Sequence, residues 1–151
     1  MPIVVNEDYF PLIIEEYDGA MTDDESEWHR QYITALLDRK QRYAILYDFR
    51  NSIAESQEQR KVDAEFIKAN RERLKAYSLG VAFVMPSPLL RIAINVVLFL
   101  SPLPMPYTTT KTVDEAARWI EGRFKAEGLT FSAAAWAYLK DLEIRRAEKQ
   151  A

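Results

Sequence analysis

Residues 81–120, VAFVMPSPLLRIAINVVLFLSPLPMPYTTTKTVDEAARWI, constrain this chain more than any other stretch. They read as a short apolar strand, a helix apolar on nearly every side, a proline-rich turn, a second strand and an amphipathic helix. Ser87 has the character of an N-cap, and Pro88 suits the first helical position, where a missing N–H costs nothing. Within 88–100 only Arg91 and Asn95 are polar, spaced by four from Ser87 and so on its face. A helix with this little polar surface has to be covered on more than one side. A sheet accounts for about half of it; on the other half, each large apolar side chain left in water would forgo roughly 1.5–3 kcal/mol. The thirteen residues from 88 to 100 rise about 20 Å, short of a hydrocarbon core of about 30 Å, so the segment does not span a membrane.

Cap and turn signals divide the rest of the chain. Ile3–Val5 and Phe10–Tyr17 read as strands closed by an Asp18-Gly19 turn. Thr22-x-x-Glu25 is a capping box, opening a helix with Trp28, Tyr32, Ala35 and Leu36 as its apolar stripe. YAILYDF at 43–49 is the mostly apolar run of a central strand. Ser56-x-x-Gln59 opens one helix that is predicted to continue to Tyr77, and VAFVM at 81–85 is the next strand. YTTTK at 107–111 and a helix over 113–126, capped by Thr112-x-x-Glu115, complete the alternation. The order predicts an α/β fold: a single domain with a mostly parallel sheet of four to five strands, an antiparallel edge strand, four helices and an extra C-terminal helix. Residues 1–127 form that domain in this reading, and 128–151 are a helical extension packed on it or on a second subunit. Phe131, Ala134, Ala135, Tyr138, Leu139 and Leu142 give the extension one apolar stripe, expected to lie over or beside the 88–100 helix. Trp136 and Ile144 point elsewhere and suggest a second contact.

Several function classes fall away. The chain has 151 residues, room for one substantial core. Its net charge is −3 and its basic residues are interleaved with acids, which argues against a nucleic-acid partner. With no cysteine and a single histidine, His29, neither a thiolate metal site nor one needing two imidazoles can form, and no metal is expected. His29 is expected on the solvent side of its helix. None of the G-x-S-x-G, G-x-x-x-x-G-K or G-x-G-x-x-G motifs is present, so neither an enzyme nor a cofactor is expected. MPIVVNEDYF lacks the features of a signal peptide, from which a cytoplasmic location is expected.

Three segments together carry a resemblance: YAILYDFRNS at 43–52, SQEQRKVDAEFIKANRERLK at 56–75, and residues 80–120. Over roughly residues 1–125 the chain resembles the SpoIIAA-like family, small bacterial relatives of STAS domains that also resemble CRAL-TRIO lipid-binding domains. The resemblance implies a non-enzymatic role and a protein partner. Some STAS domains are switched by phosphorylating a serine or threonine in an Asp-x-Ser-Gly-type motif after the third strand. Here the motif reads Asp48-Phe49-Arg50-Asn51, with Arg50 in the phosphorylatable position and Ser52 two residues further on. The CRAL-TRIO likeness implies the alternative of a carrier of an apolar small molecule or lipid. There, 88–100 and the PLPMP exit at 102–106 would form a lid that opens at a membrane surface.

The residues themselves suggest a site at the carboxyl ends of the central strands, where ligands of open α/β sheets bind. Asp48, Arg50 and Ser52 leave one strand; Ser87, Arg91 and Asn95 follow the next and are expected to face them. Two readings stay open. Arg91 grips a carboxylate or phosphate at the lip of an apolar pocket, or Asp48 and Arg91 form a structural ion pair beside a helix cap. Association into a homodimer is a further expectation from the apolar helix.

Overall fold

Alternate residues along the strands face opposite helical layers, and this alternation organises the molecule. The computed structural model describes residues 2–150. In chain order the elements are β1 (Ile3–Asn6), β2 (Leu12–Gly19), α1 (Asp23–Asp38), β3 (Tyr43–Ser52), α2 (Gln57–Ala69), α3 (Arg71–Tyr77), β4 (Ser78–Val84), α4 (Pro88–Leu100), β5 (Tyr107–Thr110), α5 (Val113–Ala126) and α6 (Ala133–Gln150). They build one sheet in the order β1-β2-β3-β4-β5, with β1 antiparallel and the rest parallel, as the sequence predicts. Ile13, Ile45 and Val81 pack against α1 and α3 residues such as Leu36, Leu37 and Leu74. Leu12, Ile14, Ala44, Leu46, Ala82 and Val84 pack against α5 and α6. No helix among the described residues is long and apolar enough to cross a membrane.

The N-caps act as their sequences suggest. Thr22 and Ser56 form full capping boxes, Ser87 accepts from the Leu90 N–H, and Thr112 accepts from the Glu115 N–H. The helix expected to run through to Tyr77 breaks in two at Asn70, which leaves the helical region at φ −109°, ψ 14°. Its side-chain amide donates to the Phe66 carbonyl, competing with the backbone ladder at the point of the break.

Three packing expectations need correction. On α1 the inward residues are Ser26, Ile33, Leu36 and Leu37, while Trp28 and Ala35 are exposed. The inner stripe therefore begins with a polar residue, which an apolar-only pattern misses. The last helix covers α5 and β3, not α4: its Ala135, Leu139 and Leu142 join the same buried cluster as Ala116, Ile120 and Phe124. Most consequentially, α4 is bare. None of its residues is buried, and the sheet contact it makes is with the short edge strand β5. Leu89 and Phe99 are each 80 % exposed and Leu100 76 %.

Gly80 sits inside β4 where the backbone passes close to α5. A Cβ there would stand 2.8 Å and 2.9 Å from two ring atoms of Trp119 and 3.3 Å from the Pro106 carbonyl oxygen, at a φ of +156°. Gly80→Ala is expected to cost about 1–3 kcal/mol through this overpacking, read as a lower urea midpoint at unchanged slope. A wild-type midpoint would mean that the indole has room to retreat.

Candidate functional site

Because side chains alternate across a strand, Asp48 and Arg50 project to the α6 side of the sheet. There Arg50 donates to both carboxylate oxygens of Asp48, at 2.9 and 3.0 Å. It also donates to the Glu143 carboxylate at 2.9 Å and to the Leu142 and Glu143 carbonyl oxygens at 2.9 and 3.1 Å. Asp48 is wholly buried and the Arg50 side chain is 4 % exposed. This is a bidentate, charge-assisted clamp joining β3 to α6.

The expected Asp48–Arg91 pair is not what forms. Arg91 donates to the Met85 and Pro86 carbonyl oxygens at 3.0 and 3.2 Å, closing the end of the turn that follows β4. Ser87 serves as the α4 cap, Asn95 accepts from the Thr109 hydroxyl at 3.4 Å, and the Ser52 hydroxyl donates to the Ile53 carbonyl at 3.4 Å. Of the six residues chosen from sequence, Asp48 and Arg50 thus form a β3–α6 clamp, Ser87, Arg91 and Asn95 make local contacts around α4, and Ser52 bonds to its chain neighbour.

A more developed site lies on the opposite face, between the sheet and α1–α3. Register places Glu15, Tyr47 and Phe83 side by side on β2, β3 and β4. Tyr47 and Phe83, with Tyr17 and Phe49, form an aromatic wall. Tyr47, Phe49 and Phe83 stack within 13–17° of parallel at 5.2–5.7 Å, and Tyr17 meets Phe49 edge-on at 4.7 Å. That wall bounds a cavity of about 200 Å³. Phe66, Ile67 and Leu74 close it from the helices, and Leu103 and Met105 of the proline-rich exit from α4 complete it.

One end of the cavity is polar. His29 and Ser26, one turn apart on α1, line it with Arg30, Glu55 and Asp63. His29 is not the solvated residue expected from sequence: its side chain is 19 % exposed and its Nε2 stands 2.8 Å from Oε1 of the fully buried Glu15. Tyr17 donates its hydroxyl to the same oxygen at 3.2 Å. Burial alone would push the imidazole pKa down, but the Glu15 charge and hydrogen bond outweigh it, so His29 is raised above its ordinary value. Tyr17 and Tyr47 are pushed well up, first by burial and then by Glu15, which keeps both phenols neutral.

Glu55 is an exposed residue with its carboxyl turned in toward Asp63. Partial burial, then a hydrogen bond to Asp63 and its charge, push it up to about 7. Arg30 neutralises this end, donating to Asp63 at 2.7 Å and to Glu27 at 3.0 Å. The Ser26 hydroxyl has no hydrogen-bond partner among the described residues, so His29 does not activate it as a nucleophile. No group of three or more histidine, aspartate or glutamate side chains among the described residues could hold a metal ion.

Sequence reading missed Glu15, Tyr17, Ser26, His29, Tyr47, Phe49 and Phe83. Period-two alternation along β2 and β3 held part of the signal, in Glu15-x-Tyr17 and Tyr47-x-Phe49. The spacing of Ser26, His29, Ile33 and Leu36 on one side of α1 held the rest.

No family model and no curated protein matches this chain. Solved structures do. An uncharacterized DUF3478-family protein with a SpoIIAA-like fold from Shewanella loihica PV-4 aligns at TM-score 0.57 and 16 % identity, over 78 % of this chain and 90 % of its own. The anti-sigma factor antagonist SpoIIAA in its unphosphorylated form aligns at TM-score 0.54 and 14 % identity, over 80 % of this chain and 98 % of its own. With the five-stranded sheet and the helical layers already described, these likenesses settle the architecture: the chain has a SpoIIAA-like fold.

Proposed function

We propose that this chain is a non-enzymatic regulatory domain that binds another protein by laying α4 into an apolar groove. The observation that carries this is the inverted amphipathicity of α4. Arg91, Ile94 and Leu98 turn inward, and the outward arc of Leu89, Ile92, Val96, Phe99 and Leu100 is exposed and free of charge. A helix of this length, about 20 Å, suits helix-in-groove recognition, in which residues spaced by three and four serve as anchors. An interfacial membrane helix would carry lysine or arginine on its polar face; the one cation here is turned onto backbone carbonyls. The fold likeness to an anti-sigma factor antagonist, a name that describes action on another protein, supports the same reading.

The test is an Ile92→Asp/Phe99→Asp double variant. Both positions are exposed, at 62 % and 80 %, so its stability is expected to stay within about 0.5 kcal/mol per site of the parent. Native mass measurement of protein isolated from its own cells should find a polypeptide that stays with the parent and is lost from the variant. Retention by both proteins overturns the reading. So does flotation of the parent, but not the variant, with phosphatidylglycerol vesicles.

A second reading is favoured by one specific feature: Leu103 and Met105, which follow α4 directly, form part of the wall of the aromatic cavity. In this reading the domain carries a small apolar ligand, and α4 with the 102–106 exit is its lid. Mass spectrometry of an organic extract of the purified protein tests it through the presence of a stoichiometric small molecule.

A further inference from the structure

The chemistry of the cavity narrows what such a ligand can be. We propose that the cavity between the sheet and α1–α3 takes a small, neutral, planar aromatic molecule carrying one N–H or O–H donor, and not an acyl lipid. The proposal rests on the carrier reading and adds the chemical class.

Size is the first argument. An apolar cavity of about 150 Å³ accepts benzene, so about 200 Å³ suits one substituted ring or a small fused pair. A long acyl chain with its head-group exceeds that volume and would have to run out through the cavity's open side. Shape is the second. Tyr47, Phe49 and Phe83 present near-parallel rings on the sheet, and Tyr17 stands edge-on to Phe49. Such a wall offers a flat guest both the offset-stacked and the edge-to-face arrangements that aromatic rings prefer. Phe66, Ile67, Leu103 and Met105 give the remaining walls no directional demand of their own.

The polar end decides the charge. His29 is met by Glu15, and Arg30 by Asp63 and Glu27, so each cation already faces a carboxylate. A second carboxyl, Glu55, stands against Asp63. An anionic head-group would enter beside acids whose cationic neighbours are engaged. A neutral donor, by contrast, has somewhere to go. Ser26, 4 % exposed and lining the cavity, has a hydroxyl oxygen with no partner among the described residues. Buried acceptors left unmatched are uncommon, and a ligand N–H or O–H reaching Ser26 would satisfy one.

Indole and 4-methylphenol are the probes, with toluene as the ring lacking a donor and decanoate as the acyl control. Each is titrated into the full chain while the ring signals of Tyr17, Tyr47, Phe49 and Phe83 and the imidazole of His29 are followed by NMR. Saturable shifts at these five residues are expected with indole and 4-methylphenol, and weaker ones with toluene. Ser26→Ala should weaken indole and 4-methylphenol about five-fold, the order of one hydrogen bond, and leave toluene unchanged. Equal weakening of toluene overturns the role of Ser26 as donor acceptor. Binding of decanoate in preference to the aromatic probes overturns the proposed class and leaves the carrier reading standing. Absence of saturable shifts with every probe overturns both. Shifts confined to α4 residues overturn the site.

Discussion

Arg50→Ala is expected to lower the unfolding free energy by about 3–5 kcal/mol, the range for removing one partner of a buried ion pair, and to loosen α6 from the sheet. The guanidinium is the common partner of Asp48 on β3, of the Glu143 side chain and of two α6 carbonyls. Removing it deprives a wholly buried carboxylate of its bidentate cation and, in the same step, takes three hydrogen bonds from α6. Replacing both charges, in an Asp48→Leu/Arg50→Met variant, should recover part of the loss, since an apolar pair no longer buries an unmatched charge. Recovery will be incomplete because the α6 carbonyls still lose their donor. Chemical denaturation measures the first effect, and trypsin cleavage at Lys140 and Arg145 measures the second. Native-like resistance to trypsin in Arg50→Ala would separate the clamp from the anchoring of α6. For the same reason, a phosphorylation switch at this position has no hydroxyl to act on: arginine occupies the place and is engaged.

Stability is also expected to fall as the pH rises from about 4.5 to about 7 and on through the raised imidazole value, and two groups on the cavity side set the sign. His29 has a folded pKa raised above its ordinary 6.5, so its contribution is fully present below about 6.5 and is lost as the pH climbs through the folded value. Glu55 is raised from 4.5 to about 7: the folded state holds a proton that the unfolded state releases, and stability declines across that interval. The two windows adjoin and carry the same sign. Around His29 stand Glu15, Tyr17, Tyr32, Tyr47, Glu55 and Asp63, and the phenols stay neutral over the whole range.

His29→Gln should cost about 3 kcal/mol near pH 6, where Glu15 loses a buried cationic partner, and less once the pH has passed the folded imidazole value. Its stability profile should therefore be flatter than the parent's above about pH 6.5, while Glu55→Gln flattens the interval below about 7. Urea unfolding at half-unit pH steps reads both. A parent whose stability climbs over this range would contradict the argument, as would a His29→Gln profile parallel to the parent's.

Much of the architecture is legible in the chain. Four N-caps, the apolar runs at 43–49 and 81–85 and the strand–helix alternation all rest on local chemistry, and each acts as its sequence suggests. The one extra helix boundary, at Asn70, is local too: an asparagine whose side chain takes a backbone carbonyl is a recognisable interruption. The site is a different matter. Asp48 and Arg50 are two apart on one strand and could have been paired by alternation alone. Their third partner, Glu143, lies 93 residues from Arg50 on a helix whose docking no local pattern specifies.

His29 illustrates the limit most clearly. Read as a polar residue between Trp28 and Arg30 it belongs with the solvent, yet it shares the inner side of α1 with Ser26, Ile33 and Leu36, and only the packing of α1 on β2 reveals Glu15 opposite it. α4 marks the converse. Its composition reads as demanding a cover, yet its large side chains lie exposed, while residues of the other helices join the two clusters packed on the sheet. Local propensity and periodicity are properties of neighbouring residues, so they travel with the sequence. Which polar groups meet, which apolar face stays open and what volume is left between layers depend on how whole elements are arranged in space, and that arrangement was settled by the competition of all the faces for one sheet.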